Sequence, residues 1–152
     1  MPGQKHNTHR LRRGRVSRPG QIYLITTATY GRQPIFSDLV LGRCVVHSLR
    51  DAHGAARTLA FVVMPDHLHW LMQLQAGPDL SAVIRHVKSR SSHAVQQRLG
   101  TQTPVWQRGF HDHALRREEH ILNCARYVIA NPLRAGLVER VGDYPLWDAQ
   151  WL

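Results

Sequence analysis

The apolar and polar positions of the chain alternate in two periods, and the switches between them mark out the elements. Residues 21–30 are rich in Ile, Tyr and Thr and predict a first strand. Ser37 or Asp38 is placed to cap a helix reaching about Ala52, with Leu39, Val40, Cys44, Val45, Ser48 and Leu49 on one side. Residues 59–64 predict a second strand, Pro65 and Asp66 a turn, and residues 67–74 a third strand. Pro78 and Asp79 open a second helix to about Leu99, whose Leu80, Val83, Ile84, Val87, Ala94 and Val95 recur at helical spacing. Arg85, Lys88 and Ser92 fall on its outer side. Residues 105–115 predict a fourth strand and residues 118–130 a third helix. The tail from 141 to 152 holds Tyr144, Trp147 and Trp151 and is expected to pack back on the domain. The order β-α-β-β-α-β-α predicts an α+β, ferredoxin-like antiparallel sheet with one extra helix.

Length and charge narrow the picture. A chain of 152 residues fits one domain that buries roughly 70% of its extended surface. No apolar run is long enough to span a membrane, and the N-terminus lacks the apolar core of a signal peptide. With two cysteines, Cys44 and Cys124, the expectation is a reduced, cytoplasmic protein. Lys and Arg total 20 against 10 acids, and all but Lys5 and Lys88 of the basic residues are arginine. That excess favours a polyanion, and arginine matches phosphate with a planar fork. Nucleic acid is therefore the expected partner. An anionic membrane surface is the weaker alternative, because no basic amphipathic helix stands out. Residues 1–20 carry Lys5, Arg10, Arg12, Arg13, Arg15 and Arg18 without an acid, and read as a mobile basic arm ahead of a domain at 21–152.

Candidate chemistry centres on one strand. Side chains at i and i+2 share a face, so His67 and His69 point one way and Leu68, Trp70, Met72 and Leu74 the other. The apolar set can be core, which leaves the histidine face for a site; the pair can hold a cation or be structural. Tyr127 follows 58 residues after His69. In the third helix Ile121, Leu122, Ala125, Val128 and Ile129 form the apolar side, while His120, Asn123, Tyr127 and Asn131 form a polar stripe. Tyr127 is then either a reactive hydroxyl or an amphipathic tyrosine at a core edge. A second His-x-His, at His111 and His113 near Trp106 and Phe110, fits a structural or DNA-contacting role better than a second metal site.

Three stretches carry a resemblance. Residues 61–69, ending in His67-Leu68-His69, resemble the His-hydrophobe-His motif of single-tyrosine HUH transposases. Residues 106–113 and 125–137 are similar to the REP-associated tyrosine transposases in particular. The resemblance implies a ferredoxin-like sheet with the nucleophile helix beside the histidine strand, and an enzyme that cleaves single-stranded DNA next to hairpins and rejoins strands through a 5′-phosphotyrosine. It implies that Tyr127 is the nucleophile and that His67 and His69 hold Mg²⁺ or Mn²⁺, with Asn131 at the position of a third ligand. Two imidazoles with an oxygen donor suit Mn²⁺ more readily than Mg²⁺. Asn131 before Pro132 also has the makings of a helix N-cap. Arg10, Arg12, Arg13, Arg15, Arg18, Arg85, Lys88, Arg108 and Arg134 are the expected DNA contacts. A monomer or a homodimer fits. The competing readings are a non-catalytic module that binds DNA or RNA hairpins, and a HUH replication or mobilisation nuclease.

Overall fold

The computed structural model describes residues 17–150. Arg10, Arg12, Arg13 and Arg15 of the basic arm, and Trp151, lie outside the described residues. The elements are β1 (Ile22–Ala28), α1 (Leu39–Asp51), β2 (Ala56–Met64), β3 (His67–Leu74), α2 (Leu80–Leu99), β4 (His111–Leu115), α3 (Glu118–Ile129), α4 (Asn131–Arg134) and β5 (Trp147–Ala149). The strands form one antiparallel sheet in the order β4-β1-β3-β2-β5. The first four strands and α1 and α2 make the expected α+β, ferredoxin-like pattern, and α3 is the expected extra helix.

The two faces of the sheet are covered by different helices. Tyr23, Ile25, Phe61, Val63, Leu68, Trp70, Met72 and Leu74 cluster with α1 and α2 through Leu41, Val45, Leu49, Val83, Ile84 and Val87. Ala60, Val62, Met64, Leu71 and Leu115 cluster with Ala125 and Val128 of α3. The apolar spacing of each helix accounts for its seat. Asp38 caps α1, accepting from the Val40 and Leu41 amides, and Asp79 caps α2, accepting from the Ala82 amide. Gly100, at φ +66, ends α2 in the left-handed conformation that a side chain resists.

Four boundaries differ from the sequence expectation. Leu39 and Val40 lie on the open side of α1, which buries Leu41 and Gly42 instead. At Gly42 a Cβ would collide with Leu146, so glycine lets the tail cross the helix. β2 starts at Ala56, and its register shifts between Thr58 and Ala60. β4 is short: Thr29 and Trp106 make an isolated bridge, Gly109 turns at φ +76, and pairing resumes at His111. The tail does pack back, and does more. Trp147–Ala149 adds a fifth strand to β2, the Trp147 indole donates to the Val141 carbonyl, and the Tyr144 hydroxyl donates to the Val63 carbonyl at 2.6 Å.

Candidate active site

His67 and His69 open β3 on the face covered by α3. Their neighbours Leu68, Trp70, Met72 and Leu74 are at most 1% exposed on the other face. That core fixes the strand's rotation and hence the direction of both imidazoles. The two rings lie 4.7 Å apart, nearly perpendicular at 83°. Their Nδ1 atoms are both held. His67 Nδ1 is 2.8 Å from Asp66 Oδ1, and His69 Nδ1 is 2.9 Å from Thr26 Oγ1. A carboxylate only accepts, so neutral His67 carries its proton on Nδ1 and keeps the Nε2 lone pair. Carboxylate or hydroxyl support of this kind orients imidazole ligands in metal sites. Thr26 sits directly across from His69 in the β1–β3 ladder, so its place is set by register.

The electrostatics keep His69 uncharged. Burial, then the neighbouring charges of His67, Arg134 and Arg32, lower its pKa from 6.5 to about 4. A neutral ring is the form that binds a metal. Among the described residues no three His, Cys, Asp or Glu side chains are grouped to hold an ion. A third protein donor would then be an amide, a hydroxyl or a backbone carbonyl. Asn131 answers that description. Its Nδ2 is buried without a hydrogen-bond partner, and amide N and O exchange places by a half-turn. Nor does its side chain cap α4, which has Ala130 at the cap position and no side-chain cap bond. The N-cap alternative therefore finds no support in the hydrogen bonding, and two imidazoles with an amide oxygen are donors that a divalent ion such as Mn²⁺ accepts.

Tyr127 reaches the same place from α3. Its ring centroid is 6.1 Å from that of His69, and the residue is 51% exposed. Ala125 and Val128, both buried, seat the helix so that the stripe of His120, Asn123 and Tyr127 faces away from the core. Arg134 folds back over the tyrosine. Its guanidinium carbon is 4.0 Å from the ring centroid, and it donates to the Tyr127 carbonyl at 2.8 Å. Such a stack contributes about 0.5–1 kcal/mol at an exposed site and fixes the ring's position. Of the other tyrosines, Tyr23 is buried on the opposite face. The hydroxyl of Tyr144, pushed up to about 12 by burial, is spent on a carbonyl.

The basic residues expected to meet DNA scatter. Arg134 is in the site. Arg108 is exposed just after Gln107, whose amide donates to the Ala28 carbonyl at the His67 end of the sheet. Arg85 is exposed on α2, in the layer on the far side of the sheet, and Arg18 is exposed near the start of the described chain. The Lys88 ammonium donates to the carbonyls of Gln107 and Gly109, fastening the loop before β4. His111 and His113 share the site face. His111 is paired with Thr26 and His113 with Leu24, so His69, Thr26 and His111 form one row across three strands. Asp66, Thr26 and Arg32 were not singled out from the sequence. An acid directly before the first histidine, in a turn, was a usable signal for Asp66. Register was the signal for Thr26. The hollow of about 380 Å³ between α1 and β5, lined by Arg43, Arg50, Phe61, Leu146 and Trp147, does not include His67, His69 or Tyr127.

Comparison with known proteins agrees with this fold. A REP-associated tyrosine transposase of Escherichia coli K12 is 33% identical over 87 residues, 57% of this chain and 50% of that protein. A Haemophilus influenzae protein assigned to the same group is 30% identical over 103 residues, 61% of this chain and 58% of its own length. The matches thus span about half the length of these relatives. A solved REP-associated tyrosine transposase bound to a REP hairpin superposes with a TM-score of 0.71 at 26% identity, covering 88% of this chain and 79% of that one. A Deinococcus radiodurans structure shares the fold alone, at TM-score 0.53 and 18% identity over 70% of this chain and 87% of its own. Residues 21–131 match the family described as transposase IS200 like, which bears out the resemblance read from the three motifs. The chain belongs to the IS200-like transposase family.

Proposed function

We propose that this protein is a REP-associated tyrosine transposase that cleaves and rejoins single-stranded DNA at hairpins through a 5′-phosphotyrosine. The observation that carries the reading is the meeting of Tyr127 with His67 and His69. A half-exposed tyrosine from a helix stands beside His69, one of two imidazoles whose Nδ1 atoms are already held. His67 and His69, with Asn131, would hold Mg²⁺ or Mn²⁺, which when bound neutralises charge on a phosphodiester and makes it easier to attack. Tyr127 then supplies the nucleophile. Its Oη bonds to phosphorus, its phenolic proton is released, and the 3′-oxygen of the flanking nucleotide leaves and is protonated. The tyrosine ester keeps the energy of the phosphodiester, so a 3′-hydroxyl attacking it restores a DNA strand and frees Tyr127. Arg134, stacked on the ring, holds the nucleophile's aim. The DNA partner is a hairpin with single-stranded flanks. The exposed Arg108 and Arg134 and the basic arm of residues 1–20 supply phosphate contacts, and the work is done in the cytoplasm by a monomer or a homodimer.

The test is a covalent adduct. Purified protein, Mn²⁺ and hairpin oligonucleotides with single-stranded flanks should yield a species of reduced mobility on a denaturing gel, removable by protease. Chelator should abolish it. Tyr127→Phe, which removes a hydroxyl from an exposed ring, should abolish it while leaving hairpin binding within about twofold. An adduct from the Phe variant would overturn the assignment of the nucleophile. Binding without any adduct from wild type would favour a hairpin-binding module.

A further inference from the structure

Arg32 stands out on its backbone alone. It is the non-glycine residue with positive φ among the described residues, at φ +55, directly after Gly31 at φ +62. Glycine, and to a lesser degree Asn and Asp, takes this region readily, and an arginine is kept there when its surroundings over-determine it. They do here. The Thr29 amide and hydroxyl both reach the Asp66 carbonyl, the Arg32 amide donates to the Thr29 carbonyl, and the Phe36 amide donates to the Pro65 carbonyl. The segment from 29 to 36 is thus fastened to the turn that introduces His67. Thr29 is fully buried, while Arg32 itself is exposed.

The side chain emerges at the site. Arg32 Nε is 3.2 Å from Asp66 Oδ2, and the other oxygen of that carboxylate takes His67 Nδ1. Asp66 is therefore bridged between a guanidinium and an imidazole. Nε lies at ion-pair distance from the carboxylate, and the terminal nitrogens carry four further N–H donors. The arginine's charge is felt at His69 on one side of the site, as that of Arg134 is from the tyrosine side.

We propose that Arg32 binds a phosphate of the DNA strand beside the histidine pair, its fork set by Asp66 and by the left-handed backbone at 31–32. The inference rests on the DNA-cleaving function proposed above and adds a residue to it. An exposed guanidinium tethered through Nε to a carboxylate keeps further N–H donors for a phosphodiester. Arg32 and Arg134 would then flank the strand from opposite sides, one at the start of β3 and one over Tyr127.

The test couples a protein change to a DNA change. In a Tyr127→Phe background, which prevents cleavage, a hairpin with single-stranded flanks is selected by binding from a pool with randomised flanks. It is then made with a neutral methylphosphonate at one linkage at a time. With Arg32 intact, one linkage in the flank should cost roughly tenfold or more in affinity. With Arg32→Gly the affinity of the unmodified hairpin should fall by a similar factor, and that linkage should no longer matter. Arg32→Asn, which tolerates the same backbone, should behave as glycine does, and Arg32→Lys should recover part of the effect. A methylphosphonate penalty that is the same at every linkage with and without the arginine would overturn the proposal. Because binding is the readout, absence of a covalent adduct from the otherwise wild-type protein would count against the proposed function and leave this result standing.

Discussion

The two faces of the sheet are made from alternate residues of the same strands, yet they serve different ends. On the α1–α2 face, Tyr23, Ile25, Trp70 and Met72 are at most 2% exposed, and α1 buries six of its 13 residues. On the α3 face the same strands offer Ile22, Leu24, His67 and His69, all partly exposed, and α3 buries only Ala125 and Val128. One face holds the strands at a fixed rotation; the other, freed from that duty, can carry polar groups at defined positions. A strand with one fully apolar side is a rigid mount for chemistry on the opposite side. The helix that brings Tyr127 is correspondingly the more lightly seated one.

The largest difference should appear on truncating one residue from each side of β3. Trp70→Ala removes a fully buried indole and its hydrogen bond to Thr58, and should destabilise the fold by about 3–5 kcal/mol in urea titrations. His69→Ala, on the other face, should cost less than about 1 kcal/mol and remove cleavage. Equal stability losses from the two would break the comparison.

Protonation offers a second contrast. The pKa of His69 is depressed in the folded state, so the unfolded chain takes up the proton first. In chelator the protein should therefore lose stability as pH falls from about 6.5 through about 4, by up to roughly 3 kcal/mol. His69→Gln should flatten that part of the stability–pH curve. A variant as acid-sensitive as wild type would show that the burden lies elsewhere.

The seating of the helices is open to hydrogen exchange. Amides of α3 should exchange faster than those of α1, by at least about tenfold, because fewer apolar contacts oppose local opening. Equal protection would mean that α3 is held by more than Ala125 and Val128.

How far the sequence carried the account follows from the same asymmetry. The α1–α2 face is written in plain periodicity, so the order of the strands and helices, the apolar side of β3 and the histidine side were all legible. The polar stripe through Tyr127 was legible because helical spacing places His120, Asn123 and Tyr127 together. What was not legible depends on pairing and backbone conformation. Trp147–Ala149 is too short to show alternation and becomes a strand only by finding the β2 edge. Thr26 gains its role from being opposite His69 in the ladder, and Arg32 from a left-handed turn that Gly31 alone hinted at. The break before β4 comes from Gly109 and from Lys88 gripping the loop, neither of which periodicity reports.

The smallest expected effect concerns Asn131. Its amide is buried with an unpartnered nitrogen, so Asn131→Ala should leave stability within about 0.5 kcal/mol or raise it, while weakening Mn²⁺ binding measured by titration. A stability loss above 2 kcal/mol would show that the amide is bonded within the fold and is not held for an ion.

The most direct measurement is the chemical identity of the link to DNA. The adduct formed with Mn²⁺ and a hairpin oligonucleotide would be digested with protease and nuclease and its peptide sequenced by mass spectrometry. The account predicts a 5′-nucleotide joined through its phosphate to the Tyr127 side chain. A nucleotide on Tyr23, Tyr30 or Tyr144, or on any other residue, would contradict it.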